Sequence, residues 1–360
     1  MRRLYILLAA LAAIAPISVS ASTPIEAKEG KPWKHKATDT LLPATLAGFN
    51  RTSLVYFTAP EVDVAANYAS ADGGEAVTLY LYRNVSGGVP VWFDRSRFYI
   101  MNLPDKWGTA TGSGIRAFTP RGQQVASGLM ESYSVTKTGR STGLMIFPYN
   151  GFYAKIRATS NARDLPGLEA LMMQAVNSLD WSTKWPVAPA SQILDCAQPL
   201  APRQAAKQIE GDNDASLLAG LLGAAVAQTS SPKPDKDDAN LPPPTFCREP
   251  GQASLAFGIY RPNSDARRFM LAVGDGGRAI VAGPNEIGAI IGGEIAAKDG
   301  KAAPDVTYTV TFVELDKTET FADFDSLPTT EQVVDVVEKG RPVSTATTWG
   351  KKRDIQIHTN

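Results

Sequence analysis

Residues 152–160, FYAKIRATS, alternate strictly: Phe152, Ala154, Ile156 and Ala158 share one side of an extended chain, and Tyr153, Lys155, Arg157 and Thr159 share the other. A side-chain period of two makes this a strand with one apolar and one polar face. The period then changes. In LPGLEALMMQAVNSLDW (165–181), Leu165, Leu168, Met172, Val176 and Leu179 form a helical stripe. That stripe has to be buried, and the apolar face of the preceding strand is the nearest cover. The strand–helix pair therefore points to an antiparallel sheet with a helix on one face.

The segment before it fits that sheet. AVTLYLYR (76–83) alternates Val77, Leu79 and Leu81 against Thr78, Tyr80 and Tyr82. VASGLMESYSVT (125–136) and GLMIFPY (143–149) are strands joined by the polar turn KTGRST. WFDRSRFYIMNL (92–103) reads as a helix with Trp92, Phe93, Ser96, Ile100 and Leu103 on its inner side and Asp94, Arg95 and Arg97 off it. Residues 41–186 thus form an α+β domain.

Residues 187–245 break the pattern. They hold a Pro/Ala spacer, a short apolar helix at 215–228 and a Pro- and charge-rich stretch at 229–244 expected to be disordered. Residues 246–360 read as a second, β-rich α+β domain. Its strands are SLAFGIYRP, RRFMLAV, RAIVAG and VTYTVTFVEL, with Asp275-Gly276 as a two-residue hairpin turn. NEIGAIIGGEIAAKDG fits either a short helix or a loop. LPTTEQVVDVVEKG is a helix with Thr329 and Gln332 as a capping box and Gly340 as its stop. The chain closes with a hairpin around Gly350.

The first 21 residues have the form of a secretory signal: Arg2 and Arg3, an apolar run over 4–17, and Val19-Ser20-Ala21 as a cleavage signal. The run is shorter than the roughly twenty residues of a spanning helix, so no transmembrane span is expected in the mature chain. Residues 22–40 are charged and aperiodic and are expected to be a flexible leader. Export to the periplasm, or beyond the cell, makes Cys196 and Cys247 a disulfide pair across the linker. The chain has 36 basic and 36 acidic residues, and removing Arg2 and Arg3 leaves 34 − 36 = −2. Such a balance gives no electrostatic reason to bind nucleic acid.

Several short motifs match catalytic patterns without their context. Gly139-Arg140-Ser141-Thr142-Gly143 lies between two strands, whereas a nucleophile elbow needs a strand and a helix. Gly274-Asp275-Gly276-Gly277-Arg278-Ala279 is followed by a strand, whereas a dinucleotide site needs a helix there. Ser134-x-x-Lys137 and Lys137-Thr138-Gly139 share one lysine and so cannot be two elements of one site. The only histidines, His35 and His358, lie near the ends without ligands at metal spacing, and both are expected to be exposed. No cofactor is expected.

Two sets of side chains remain. Glu131, in an otherwise apolar strand, either pairs with Arg157 or Lys155 or serves as the acid of a hydrolase. Tyr80, Tyr82, Tyr133 and Tyr153 repeat on the predicted sheet and are candidates for lining a ligand or partner surface.

GFYAKIRAT and LEALMMQAVNSLDW, ending in Leu179-Asp180-Trp181, resemble the last strand and last helix of the Mog1/PsbP-like α/β proteins. With LLPATLAGFNR at its start, the segment 41–186 also resembles uncharacterised exported bacterial proteins. The resemblance implies a non-enzymatic binding or assembly role in the cell envelope, with a partner protein or an apolar small molecule as its ligand. It carries over no functional residues. The alternative is a cofactor-independent hydrolase acting on cell-wall glycans through Glu131.

Overall fold

The computed structural model describes residues 22–200, 204–209, 245–298, 302, 305–350 and 354–358. The signal segment at 1–21, the apolar helix expected at 215–228 and the stretch at 229–244 lie outside the described residues. The fold is mixed α+β, with two large sheets and helices on their faces.

The first sheet is built from β1 (Thr23–Pro24), β4 (Thr45–Leu46), β5 (Phe49–Tyr56), β6 (Asp63–Ala69), β7 (Glu75–Arg83), β8 (Ala110–Gly112), β9 (Arg116–Phe118), β10 (Gly128–Val135), β11 (Ser141–Tyr149) and β12 (Phe152–Ser160). Its order is β1-β5-β6-β7-β12-β11-β10-β8, with β4 and β9 pairing β5 and β10. The final strand β12 therefore inserts between β7 and β11 at the centre. Both of its faces are largely buried, one under the helix of residues 165–177 and the other under the helix of residues 89–101 and the second sheet.

Helix α3 (Leu165–Asn177) covers the apolar face. Asp164 caps it by accepting a hydrogen bond from the Gly167 N–H at 3.0 Å. Leu168, Leu171, Met172, Ala175 and Val176 are buried against Leu79, Met145, Phe147 and Ile156. Each of the larger side chains contributes about 1.5–3 kcal/mol by leaving water. Trp181 closes this core, with its ring 4.8 Å from Phe147 and its Nε1–H donating to the Val176 carbonyl.

The second sheet takes its nine strands in sequence order: β13 (Leu194–Asp195), β14 (Phe246–Arg248), β15 (Phe257–Pro262), β16 (Phe269–Val273), β17 (Arg278–Pro284), β18 (Tyr308–Val313), β19 (Lys317–Thr320), β20 (Ser344–Thr347) and β21 (Ile355–Ile357). Among the described strands only β13–β14 is a parallel pair. There Cys196 and Cys247 form the expected disulfide. Residues 286–298, which fit helix or loop by sequence, form the helix α4 (Glu286–Lys298). Helix α5 (Thr330–Lys339) has the Thr329–Gln332 capping box, and its Val333 and Val336 pack on Leu271, Ile280 and Val310.

Helix α1 (Val89–Met101), followed by the single turn α2 (Pro104–Trp107), lies between the two sheets. Its Trp92, Phe93 and Ile100 share one core with Leu144, Ile146 and Tyr153 of the first sheet and Tyr260, Met270 and Ala272 of the second. The side read from sequence as polar and outward is also covered: Arg95 is fully buried and Asp94 nearly so. Their charges are met across the interface. Arg95 donates to the carbonyls of Gly274, Ser254 and Leu255, and Asp94 accepts from Arg248 and Tyr260 at 2.7 Å each. The layers run α3, first sheet, α1, second sheet, α5.

Residues 22–40 differ from the expected flexible leader. β1 pairs with β5, and β2 (Trp33–His35) forms a hairpin with β3 (Thr40–Leu42). His35, expected to be exposed, is fully buried. Its Nδ1 lies 2.8 Å from Thr38 Oγ1, Nε2 donates to the Glu61 carbonyl at 3.1 Å, and the ring meets Phe152 edge-on. Burial lowers its pKa to about 4, against the hydrogen bond to Glu61. Local charge made this segment read as solvated, because its cover comes from residues far along the chain.

Candidate functional site

The polar face of the first sheet is assembled by register. Cross-strand pairs Tyr82–Tyr153, Tyr80–Lys155 and Thr78–Arg157 set one part, and Arg157–Leu144 and Leu144–Glu131 continue the row. Paired residues lie on the same face of an antiparallel sheet, so all four candidate tyrosines and Glu131 come together on it. This face looks towards α1 and the second sheet rather than towards open water. Tyr82, Tyr133 and Tyr153 are buried, and Tyr80 is half-buried. Tyr82 and Tyr153 have ring centroids 5.5 Å apart. Burial raises both phenols well above their ordinary value. Tyr133 is raised by burial and then by Glu131.

Glu131 is 2% exposed. Its Oε2 accepts from Arg97 Nε at 2.9 Å and from the Tyr133 hydroxyl at 2.6 Å, and its Oε1 accepts from the Gly114 N–H at 3.3 Å. Gly112 makes room for the carboxylate, since a Cβ there would stand 2.2 Å from Oε1. The ion-pair partner is Arg97 of α1, not Arg157 or Lys155. The helix brings Arg97 over the strand from a side that sequence periodicity assigns to solvent.

Lys155 pairs instead with the tip of the β16–β17 hairpin. Its Nζ donates to Asp275 Oδ2 at 2.9 Å and to the Asp275 carbonyl at 3.0 Å, and it lies over the Tyr80 ring at 4.9 Å. Ser96 Oγ donates to the same carboxylate oxygen at 3.1 Å. Burial of the tip raises the Asp275 carboxyl, but Lys155, Arg157 and Ser96 outweigh it and hold it below its usual range. The turn was legible in Gly274-Asp275-Gly276-Gly277; the destination of its side chain was not. Gly277 has φ +94°, and a Cβ there would press on Tyr82 and Leu315 at 3.0 Å. The hairpin therefore needs glycine both to turn and to sit down.

Among the described residues, Asp63 and Arg157 at this site form no salt bridge. Asp63, at the start of β6, is raised to about 7 by burial, despite Lys155 and Arg278, with Asp275 adding to the rise. Arg157 donates only a long bond, 3.4 Å, to Thr142 Oγ1, and its buried Nε has no hydrogen-bond partner among the described residues. Burial depresses its guanidinium below its ordinary value, against Asp275, Tyr80 and Tyr133. The sequence places Arg157 on this face and offers it, or Lys155, as the partner of Glu131, a place that Arg97 takes.

No group of three or more histidine, cysteine, aspartate or glutamate side chains among the described residues is placed to hold a metal ion. No helix among the described residues is long and apolar enough to cross a membrane. The chain matches no family model and no curated protein.

Proposed function

We propose that the chain is an exported, non-enzymatic binding module of two units, residues 41–186 and 246–360, acting in the periplasm or outside the cell. The signal-like residues 1–21 and the Cys196–Cys247 disulfide support export, because such bonds persist in oxidising compartments. The Mog1/PsbP-like resemblance of residues 41–186 supports a binding or assembly role.

The carrying observation is the state of Glu131. It spends both oxygens on Arg97, Tyr133 and Gly114 in a nearly sealed position. A general acid has to reach the atom that it protonates, and this one is held inside a structural network. The face it belongs to is occupied by α1 and the second sheet, so the tyrosines serve fixed internal contacts, and the proposed ligand, a partner protein or a small molecule with an apolar body, is taken elsewhere on the surface.

The test is incubation of the purified protein with an envelope extract, followed by desalting, crosslinking and mass spectrometry of retained small molecules and proteins. In parallel, the protein and Glu131→Gln are assayed for release of sugars from cell-wall glycans. A retained compound or protein that Glu131→Gln also retains supports the reading. Glycan cleavage that disappears in Glu131→Gln overturns it in favour of the hydrolase.

A further inference from the structure

We propose that the β2–β3 hairpin is an acid-released clasp: protonation of His35 frees residues 33–42 from the first sheet while both large sheets stay folded.

Among the described strands, β2 and β3 pair only with each other and stand outside both large sheets. A lone two-stranded hairpin is marginally stable in water, so this one depends on its seat. At its open end the seat is apolar: Leu42 is fully buried in the core of the first sheet, and Arg51 Nη1 donates to the Leu42 carbonyl at 3.1 Å. At the turn end the seat is a buried polar chain. His35 Nε2–H donates to the Glu61 carbonyl at 3.1 Å. From Nδ1 the chain continues through Thr38 Oγ1, Thr40 Oγ1 and Tyr149 Oη, in steps of 2.8, 2.9 and 3.0 Å. It ties the hairpin to the end of β11.

Hydroxyl protons can run either way along such a chain, and only one direction suits a neutral ring. Because Nε2 donates to Glu61, Nδ1 must accept, so the protons run from Tyr149 through Thr40 and Thr38 to the ring, and every donor finds an acceptor. A protonated ring donates at both nitrogens and reverses the run. The Tyr149 proton then loses its acceptor, and its hydroxyl has no second partner among the described residues. The new charge is also unmet. On the hairpin and the loop beneath it, Lys34 pairs with Asp39 and Lys36 with Glu61. Lys155 and Arg157 of β12 face the other side of the sheet, and Arg83 lies over Trp349, beyond Phe152. The ring's own neighbours are Trp33 and Phe152, with centroids 5.9 and 5.2 Å away. An unpaired charge in such a place is costly, and the least stable element gives way first. Opening lifts His35 and Thr40 off Phe152 and Tyr149.

Amide hydrogen exchange of the purified protein is followed at pH 7 and pH 4, with rates corrected for their intrinsic pH dependence. A ring pKa of about 4 in the fold against 6.5 outside it makes any opening that releases His35 about 100-fold more favourable at pH 4. Protection of the 33–42 amides is expected to fall by that factor, while the β12 amides stay better protected than the hairpin at both pH values. His35→Gln, whose amide can still bridge Glu61 and Thr38, should remove the pH dependence. Equal protection of 33–42 and β12 at both pH values means that the hairpin opens only with the whole sheet. An unchanged pH dependence in His35→Gln places the switch elsewhere. Either result overturns the clasp. So does a His35 ring that titrates near 6.5 in the native protein, read from its imidazole resonances without any substitution.

Discussion

Lys155 and Asp275 lie 120 residues apart in the chain, yet Lys155 Nζ donates to Asp275 Oδ2 at 2.9 Å. Lys155 comes from the polar face of the first sheet and Asp275 from the tip of a hairpin in the second. The lysine side chain is only 6% exposed, and its ammonium is met there by that carboxylate. With Asp94–Arg248, Asp94–Tyr260 and the carbonyl contacts of Arg95, it makes the join between the sheets a polar lock around an apolar centre. Such contacts fix one relative placement, because a shifted hairpin would leave buried charges unmatched.

Asp63 sits beside that lock with its carboxyl raised to about 7. A carboxyl with a folded pKa above its unfolded value holds its proton more tightly in the native state. It therefore weakens the fold above pH 7, and the penalty relaxes as pH falls from 7 towards the ordinary value of 3.8. Asp63→Asn is expected to be more stable than the parent by about 1–2 kcal/mol at pH 8, a figure reduced for solvent screening. The advantage should vanish near pH 4. Urea midpoints at the two pH values check it.

His35 titrates with the opposite consequence. Its folded pKa of about 4 lies below the ordinary 6.5, so the unfolded chain takes up the proton first. The stability associated with the neutral ring is present above pH 6.5 and is lost as pH falls towards 4. The loss is on the order of 2–3 kcal/mol across that window. A His35→Gln variant should show a flatter profile over the same range in urea unfolding followed by tryptophan fluorescence.

The disulfide joins cysteines 51 residues apart. Closing a loop of that length restricts the unfolded chain, which corresponds to about 4 kcal/mol in the chain-entropy description. Reduction, or the Cys196→Ser/Cys247→Ser double variant, is expected to lower stability by that order. The Lys155–Asp275 contact should stay in place at low denaturant, because it does not involve the β13–β14 edge. Unfolding curves with and without reductant measure the first, and the Lys155 Nζ resonance reports the second.

The local elements were legible because their side chains carry their own period. The β12 alternation, the α3 stripe and the Thr329–Gln332 capping box appear where the residues place them; the β16–β17 hairpin turns at Asp275-Gly276 but through four residues, 274–277, rather than two, with positive φ at Gly274 and Gly277. The long-range pairings were not. Asp94, Arg95 and Arg97 mark the outer side of α1 when it is read as covered once, and a second sheet covers it again. Glu131 was read against cations on its neighbouring strands, although a helix above the sheet supplies the partner. His35 lies in a charged segment that folds only because Phe152 and Glu61 meet it. In each case the deciding contact joins elements far apart in sequence, which a periodicity cannot express.

The most direct test of the lock is a double-mutant cycle at Lys155 and Asp275, using Lys155→Met, Asp275→Asn and their combination in urea unfolding at pH 7. Asp275→Asn is expected to cost about 2–3 kcal/mol, since it leaves the Lys155 ammonium only 6% exposed, and Lys155→Met about 1–2 kcal/mol, since the Asp275 carboxylate it leaves is 34% exposed to water. The double variant should cost less than their sum, with a coupling of about 1.5 kcal/mol or more. Single changes near zero that add within about 0.5 kcal/mol would mean that the hairpin tip is not seated on the polar face, and the account of how the two sheets are joined would be wrong.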